Sequence, residues 1–93
     1  MATTKRRRAD PLVSSGKGGA RYLEIKKSLA DELKRRRAAR RLTQGEVARL
    51  LATSQSRFAR MESGDQSVSL DLVVLALLAL GATPREIARA VAG

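Results

Sequence analysis

Residues 44–64, QGEVARLLATSQSRFARMESG, carry the most informative start and stop signals in the chain. The stretch opens behind Thr43, and Thr43 with Glu46 has the form of a capping box. The threonine hydroxyl accepts the N–H of Glu46 while the glutamate reaches back to the N–H of Thr43. A helix starting there is expected to run to about Leu51, where Ala52 and Thr53 interrupt it. Ser54 then offers its hydroxyl as the cap of a second helix. Ser63, Gly64 and Asp65 end that helix, because glycine accepts a left-handed backbone. Val47 and Leu51 on the first helix, with Phe58 and Met61 on the second, form a common apolar contact, and the small Ala48 lets the two backbones cross closely. The outcome is two short helices joined by a tight turn.

Outward from this pair, the same start and stop signals recur. Upstream, Ile25, Leu29 and Leu33 repeat at helical spacing from about Tyr22 and set one apolar stripe toward a core, while Lys34, Arg35, Arg36, Arg37, Arg40 and Arg41 occupy the rest of the helix. Downstream, Ser69 is a cap for the segment between Leu70 and Leu80, with Gly81 as its left-handed stop. The last helix opens at Thr83-Pro84-Arg85-Glu86, a second capping box with proline in the first turn, and is expected to turn Ile87, Ala88 and Val91 inward. No segment alternates apolar and polar residues as a strand does, and no solenoid-type repeat is present. The expected fold class is all-α: a compact five-helix bundle with a helix-turn-helix, residues 21–93, preceded by a disordered basic N-terminal arm, residues 1–20. The arm carries Lys5, Arg6, Arg7 and Arg8, the helix-unfriendly Asp10-Pro11 step and a Ser/Gly-rich run, with little to bury.

Charge narrows the function. The chain has 93 residues, a net charge of +10, and neither His nor Cys. Residues 1–41 hold 14 basic and 4 acidic side chains, whereas residues 42–93 hold 5 of each, so the whole excess lies in the first half. Such an excess calls for a polyanionic partner, nucleic acid ahead of an anionic membrane surface. Without His or Cys the usual zinc ligands, the commonest general base and every thiol nucleophile are missing, so no metal, cofactor or catalytic residue is expected. Asp31, Glu46, Glu62, Asp65, Asp71 and Glu86 have simpler explanations as caps, ion pairs or surface groups. The apolar segment between Leu70 and Leu80 is far shorter than the roughly 20 residues a membrane span needs, and the N-terminus lacks the apolar core of a signal peptide. A soluble cytoplasmic protein, nucleoid-associated when bound to DNA, is the expectation.

With the shared apolar face buried, the second helix of the pair presents Gln55, Ser56, Arg57 and Arg60 outward. Glutamine forms paired hydrogen bonds with adenine and arginine with guanine in the major groove, while serine is less selective. At these residues the sequence resembles the xenobiotic-response-element (XRE) family of helix-turn-helix proteins, which includes the Cro and lambdoid phage repressors. The resemblance covers roughly residues 29–87. It rests on Leu42-Thr43-Gln44, Glu46-Val47-Ala48, Ser54-Gln55-Ser56 and Met61-Glu62-Ser63-Gly64. It implies that Gln44 holds a DNA phosphate, that Gln55 and Ser56 face base edges, and that Arg37 and Glu62 form a structural ion pair. One departure is Ala52, where the turn usually has glycine; a left-handed backbone there costs alanine about 1 kcal/mol. Ser54-Gln55-Ser56-Arg57, Met61 to Asp65, Val68 to Leu72 and Ala79 to Ala82 together look like small HigA-type antitoxins. That likeness alone implies a repressor of its own operon and a RelE/HigB-like toxin as partner.

The remaining basic residues have two readings. Arg35, Arg36, Arg40 and Arg41 are either a solvated helix face or, beside a helix-turn-helix, phosphate contacts. Residues 5–8 are either a solubilising tail or an arm that tracks phosphates or the minor groove. The segment between Leu70 and Leu80 is apolar almost all round, so one stripe cannot account for it. Burial within the monomer is one reading; the other is a homodimer formed through this helix and the C-terminal helix, suited to a palindromic double-stranded DNA operator. A stand-alone regulator without a toxin, a protein-binding inhibitor for which DNA is secondary, and a non-specific DNA coater stay open beside the repressor reading.

Overall fold

A computed structural model describes residues 18–93. Five helices follow one another: α1 (Gly19–Ala39), α2 (Gln44–Leu50), α3 (Gln55–Ser63), α4 (Leu70–Ala79) and α5 (Pro84–Ala92). No strand occurs among the described residues. The long α1 is the spine: α3, α4 and α5 all pack against it, and α2 packs against α3. The all-α five-helix bundle expected from the sequence is the observed architecture. The basic tract at residues 5–8 lies outside the described residues. Helix α1 begins at Gly19, so the boundary placed after residue 20 falls just inside the helix.

The core is a single cluster. Leu29 and Leu33 of α1, Val47 and Ala48 of α2, Phe58 and Met61 of α3, Val68, and Val73, Ala76, Leu77 and Leu80 at α4 meet there. Phe58, Leu33, Leu77, Val47 and Val73 have no exposed surface. These are the spacings an amphipathic helix dictates: 29 and 33 on α1, 58 and 61 on α3, 73, 76, 77 and 80 on α4. Ile25 and Leu51, expected inside, pack on the core from half-buried positions.

Hydrogen bonds fix the boundaries. Both capping boxes form: Thr43 Oγ1 accepts from the Glu46 N–H at 3.1 Å and Glu46 Oε1 from the Thr43 N–H at 2.7 Å, with Thr83 and Glu86 repeating the pattern. Ser54 Oγ accepts the N–H of Arg57 at 3.1 Å. Ser69 stands at the N-cap of α4, but its hydroxyl makes no capping bond to a backbone N–H; it serves the Asp71 carboxylate instead, which helps hold that group below the usual aspartate range. Each of the first four helices ends in a left-handed residue followed by a closing turn. Gly64 and Gly81 do this with glycine, at φ of 70° and 90°. Arg41 and Ala52 do it with side chains, at φ of 59° and 55°.

One expectation about an inward face needs correction, and the face of a second helix is now defined. On α5, Ile87 packs on the core, but Ala88 is exposed and Val91 is 39% exposed; Ala90 packs in their place. The inward face of α5 follows 87 and 90, one helical turn apart. On α4, the stripe from Val73 to Leu80 is buried, while Leu75 and Leu78 on the other side are 59% and 44% exposed. Among the described residues no helix is long and apolar enough to cross a membrane.

Candidate nucleic-acid interface

The α2–α3 pair is built around one buried carboxylate. Glu62 lies at the inner end of α3 with its side chain only 3% exposed, and three donors from two other parts of the chain surround it. Arg37 of α1 donates through Nε to Oε2 and through Nη2 to Oε1 at 3.2 Å. Gln44, the first residue of α2, donates Nε2 to Oε1 at 3.0 Å. Arg37 Nη1 also donates to the carbonyl of Leu42 at 2.7 Å, which fixes the approach to α2. A buried charge is tolerated only when paired and hydrogen-bonded, and the two-pronged guanidinium does both. Arg37 and Glu62 thus join α1, the α1–α2 connection and α3 into one unit.

A second anchor sits just beyond the same C-terminal end of α3. Lys26 lies on the inward stripe of α1, between Ile25 and Leu29, and is 3% exposed. Its Nζ donates to the carbonyl of Asp65 at 2.8 Å. Burial pushes the Lys26 ammonium below the usual lysine range, against the opposing pull of the Asp65 charge. Its contact with the turn after α3 was not foreseen from the sequence. The available signal was its place one turn before Leu29 and Ala30, on the face that must go inside.

With Phe58, Met61 and Glu62 turned inward, the opposite face of α3 is open. Gln55, Ser56, Arg57 and Arg60 are all exposed. Among the described residues the side chains of Gln55, Arg57 and Arg60 accept or donate no hydrogen bond, and Ser56 Oγ lies only 3.4 Å from Ser54 Oγ. A methyl group added to Gly45 would sit 3.6 Å from Gln55 Oε1, so the Gln55 amide lies beside the start of α2. The first turns of α2 and α3 therefore converge on one surface, with Gln44 leaning inward and Gln55 outward. Four polar side chains able to pair with base edges stand on one short, firmly held helix.

The basic residues of α1 divide. Arg35 is exposed and, among the described residues, pairs only with Glu32 of its own helix, at 2.8 Å. Arg40 and Arg41 are exposed beyond the helix end, and Arg40 Nη2 lies against the α4–α5 turn, 3.5 Å from where a side chain on Gly81 would begin. Arg36, expected at phosphates, is turned instead toward α5: its Nη2 lies 3.1 Å from Glu86 Oε1 and 3.7 Å from Glu32 Oε2. The helical period explains the split, because residue 36 lies on the face that α5 covers, three positions after Leu33. Gln44, also expected at phosphate, commits one amide N–H to Glu62 and keeps one to offer.

A family model described as a helix-turn-helix domain matches residues 28–90, while no curated protein and no solved structure matches the chain. The matched span runs from the middle of α1 into α5 and contains the whole α2–α3 pair with its Arg37–Glu62 anchor. The chain belongs to the helix-turn-helix domain family of DNA-binding transcription regulators.

Proposed function

We propose that the protein is a sequence-specific transcriptional repressor of the XRE type, in which α3 enters the major groove and Gln55, Ser56, Arg57 and Arg60 meet base edges. In this reading Gln44 donates a hydrogen bond to a phosphate and Arg35, Arg40 and Arg41 neutralise others; Arg36 is left out because its guanidinium is engaged between Glu32 and Glu86. The observation that carries the proposal is the exposed polar face of α3, four side chains with the right donors and acceptors on a helix capped by Ser54 at its start and anchored through Glu62 and the Asp65 carbonyl at its C-terminal end. The exposed Leu75, Leu78 and Val91 support self-association through α4 and α5. A two-fold dimer would repeat the reading helix about 34–36 Å apart, one turn of duplex, and suit a palindromic operator.

The biological setting we favour is an antitoxin that represses its own operon and neutralises a RelE/HigB-like ribonuclease. Its support is the sequence likeness at residues 54–57, 61–65, 68–72 and 79–82. The exposed leucines of α4 favour a second reading as a protein-binding inhibitor. Titration against DNA upstream of its own gene, with excess random duplex and at several salt concentrations, separates the two. Selective binding that survives the competitor supports the repressor. Within that assay Gln55→Ala is expected to weaken operator binding by about 1–3 kcal/mol while leaving random-duplex binding nearly unchanged. Equal losses on both duplexes would remove Gln55 from the reading face.

A further inference from the structure

Arg36 and Glu86 carry an arrangement that the base-reading face does not use. Glu86 Oε1 accepts the N–H of Thr83 at 2.9 Å and also lies 3.1 Å from Arg36 Nη2. One carboxylate oxygen therefore both starts α5 and ties it to α1. Arg36 Nε is buried with no acceptor, so the guanidinium is drawn beneath α5 against a desolvation cost that its carboxylate partners must offset. The cleft between the two helices is lined by Asp31, Glu32, Arg35 and Arg36 from α1 and by Glu86 and Arg89 from α5.

The rest of the α5 contact is thin. No residue of α5 is fully buried, and Ile87 and Ala90 pack on the core from half-buried positions. A helix of nine residues does not persist in water alone, so α5 must form largely when it docks.

We propose that Arg36 and Glu86 form an ionic latch that makes folding and docking of α5 one salt-sensitive event, with α5 opening separately from the rest of the bundle. The consequence reaches the apolar surface. Leu75 and Leu78 belong to α4 and Val91 to α5, so the two-helix face is complete only when the latch is closed. This last step rests on reading that face as a contact between copies; the latch itself does not.

Native-state hydrogen exchange on the full chain, at a dilution where sedimentation gives a monomer, tests the latch. Raising salt from about 0.05 M to about 0.5 M is expected to speed exchange at residues 87–92 by about threefold to tenfold and to leave residues 58–63 unchanged. Glu86→Gln keeps an acceptor for the Thr83 N–H but loses the charge, and should abolish the salt response. Thr83→Val removes the hydroxyl half of the box, and should loosen α5 while preserving that response. An undiminished salt response in Glu86→Gln, or α3 and α5 opening together in every variant, would overturn the latch. Sedimentation at higher concentration reads the second step, where Glu86→Gln should dissociate more readily than the parent. If exchange behaves as expected and association is unchanged, the latch stands and its link to self-association falls.

Discussion

Helices α3 and α5 are the same length, nine residues each, yet they are held in opposite ways. Helix α3 buries Phe58, Met61 and Glu62, is pinned by Arg37 and Gln44 at the Glu62 carboxylate, and has Lys26 clamping the turn beyond it. Helix α5 buries nothing completely and meets α1 through two half-buried side chains and one ion pair. A side chain that reads a base must be held to within a fraction of an ångström, so on the proposed function α3 has to be the rigid one. A peripheral helix carries no such demand and is free to sit at the low-stability end of the molecule.

The sharpest way to break the contrast is to hollow out the core beneath α3. Phe58→Ala is expected to cost about 3–5 kcal/mol, because the ring is wholly buried where α1, α2 and α3 meet. Chemical denaturation measures this, and a loss below about 1 kcal/mol would mean that the cluster refills the space and does not define the position of α3. Next comes Arg37→Ala, which strands the Glu62 carboxylate in the interior and should cost about 3 kcal/mol. Its diagnostic is a loss of exchange protection in α2 and α3 that exceeds any loss in α5. Equal loosening of all five helices would mean that the ion pair supports the bundle at large.

A smaller effect, of opposite sign, tests the turn that sets the angle between α2 and α3. Ala52 holds a φ of 55° on an exposed turn, where glycine has no Cβ penalty. Ala52→Gly is expected to stabilise the chain by up to about 1 kcal/mol, a gain partly offset by the greater freedom of glycine in the unfolded chain. Thermal unfolding reads it, and a lowered midpoint would show that unfolded-state entropy outweighs the relief of strain.

The smallest effect concerns acid. The Thr83 N–H, helped by Arg36, holds the Glu86 carboxyl below the usual glutamate range. Its contribution is therefore fully present above the ordinary glutamate value and is lost as pH falls through the depressed one. After correction for intrinsic rates, exchange in α5 should accelerate over that acidic window, and Glu86→Gln should flatten the dependence. Persistence of the same acid response in that variant would assign it to other carboxylates. Glu46 and Asp65 are candidates, since backbone and side-chain hydrogen bonds hold both below their ordinary values.

Much of the fold was legible because it is written in local rules. Thr43 with Glu46, Ser54, and Thr83 with Glu86 announce three helix starts through hydrogen bonds that close within four residues, and all of them form. Gly64 and Gly81 announce two stops in the same way. The outward position of Gln55, Ser56, Arg57 and Arg60 also follows from periodicity once Phe58 and Met61 are known to face inward. Where the sequence misled, a distant partner decided the matter. Arg36 reads as one more cation in a basic run until α5 places Glu86 beside it. Lys26 has no assigned role in the sequence and gains one only when the Asp65 carbonyl comes within reach across 39 residues. Ala88 and Val91 satisfy a helical stripe in the sequence, yet the way α5 meets α1 and α4 favours Ile87 and Ala90.

The all-α chain, the helix-turn-helix pair, the polar face of α3 and the excess of positive charge in the first half are thus written in the residues alone. Each follows from interactions between near neighbours or from a simple count. Only the tertiary structure decided which charged residues are spent internally, since a guanidinium or ammonium acquires its role from whichever acceptor the packing brings to it. It also decided which side of α4 is left uncovered, because α1, α3 and α5 together bury one stripe of a helix that is apolar on nearly every side.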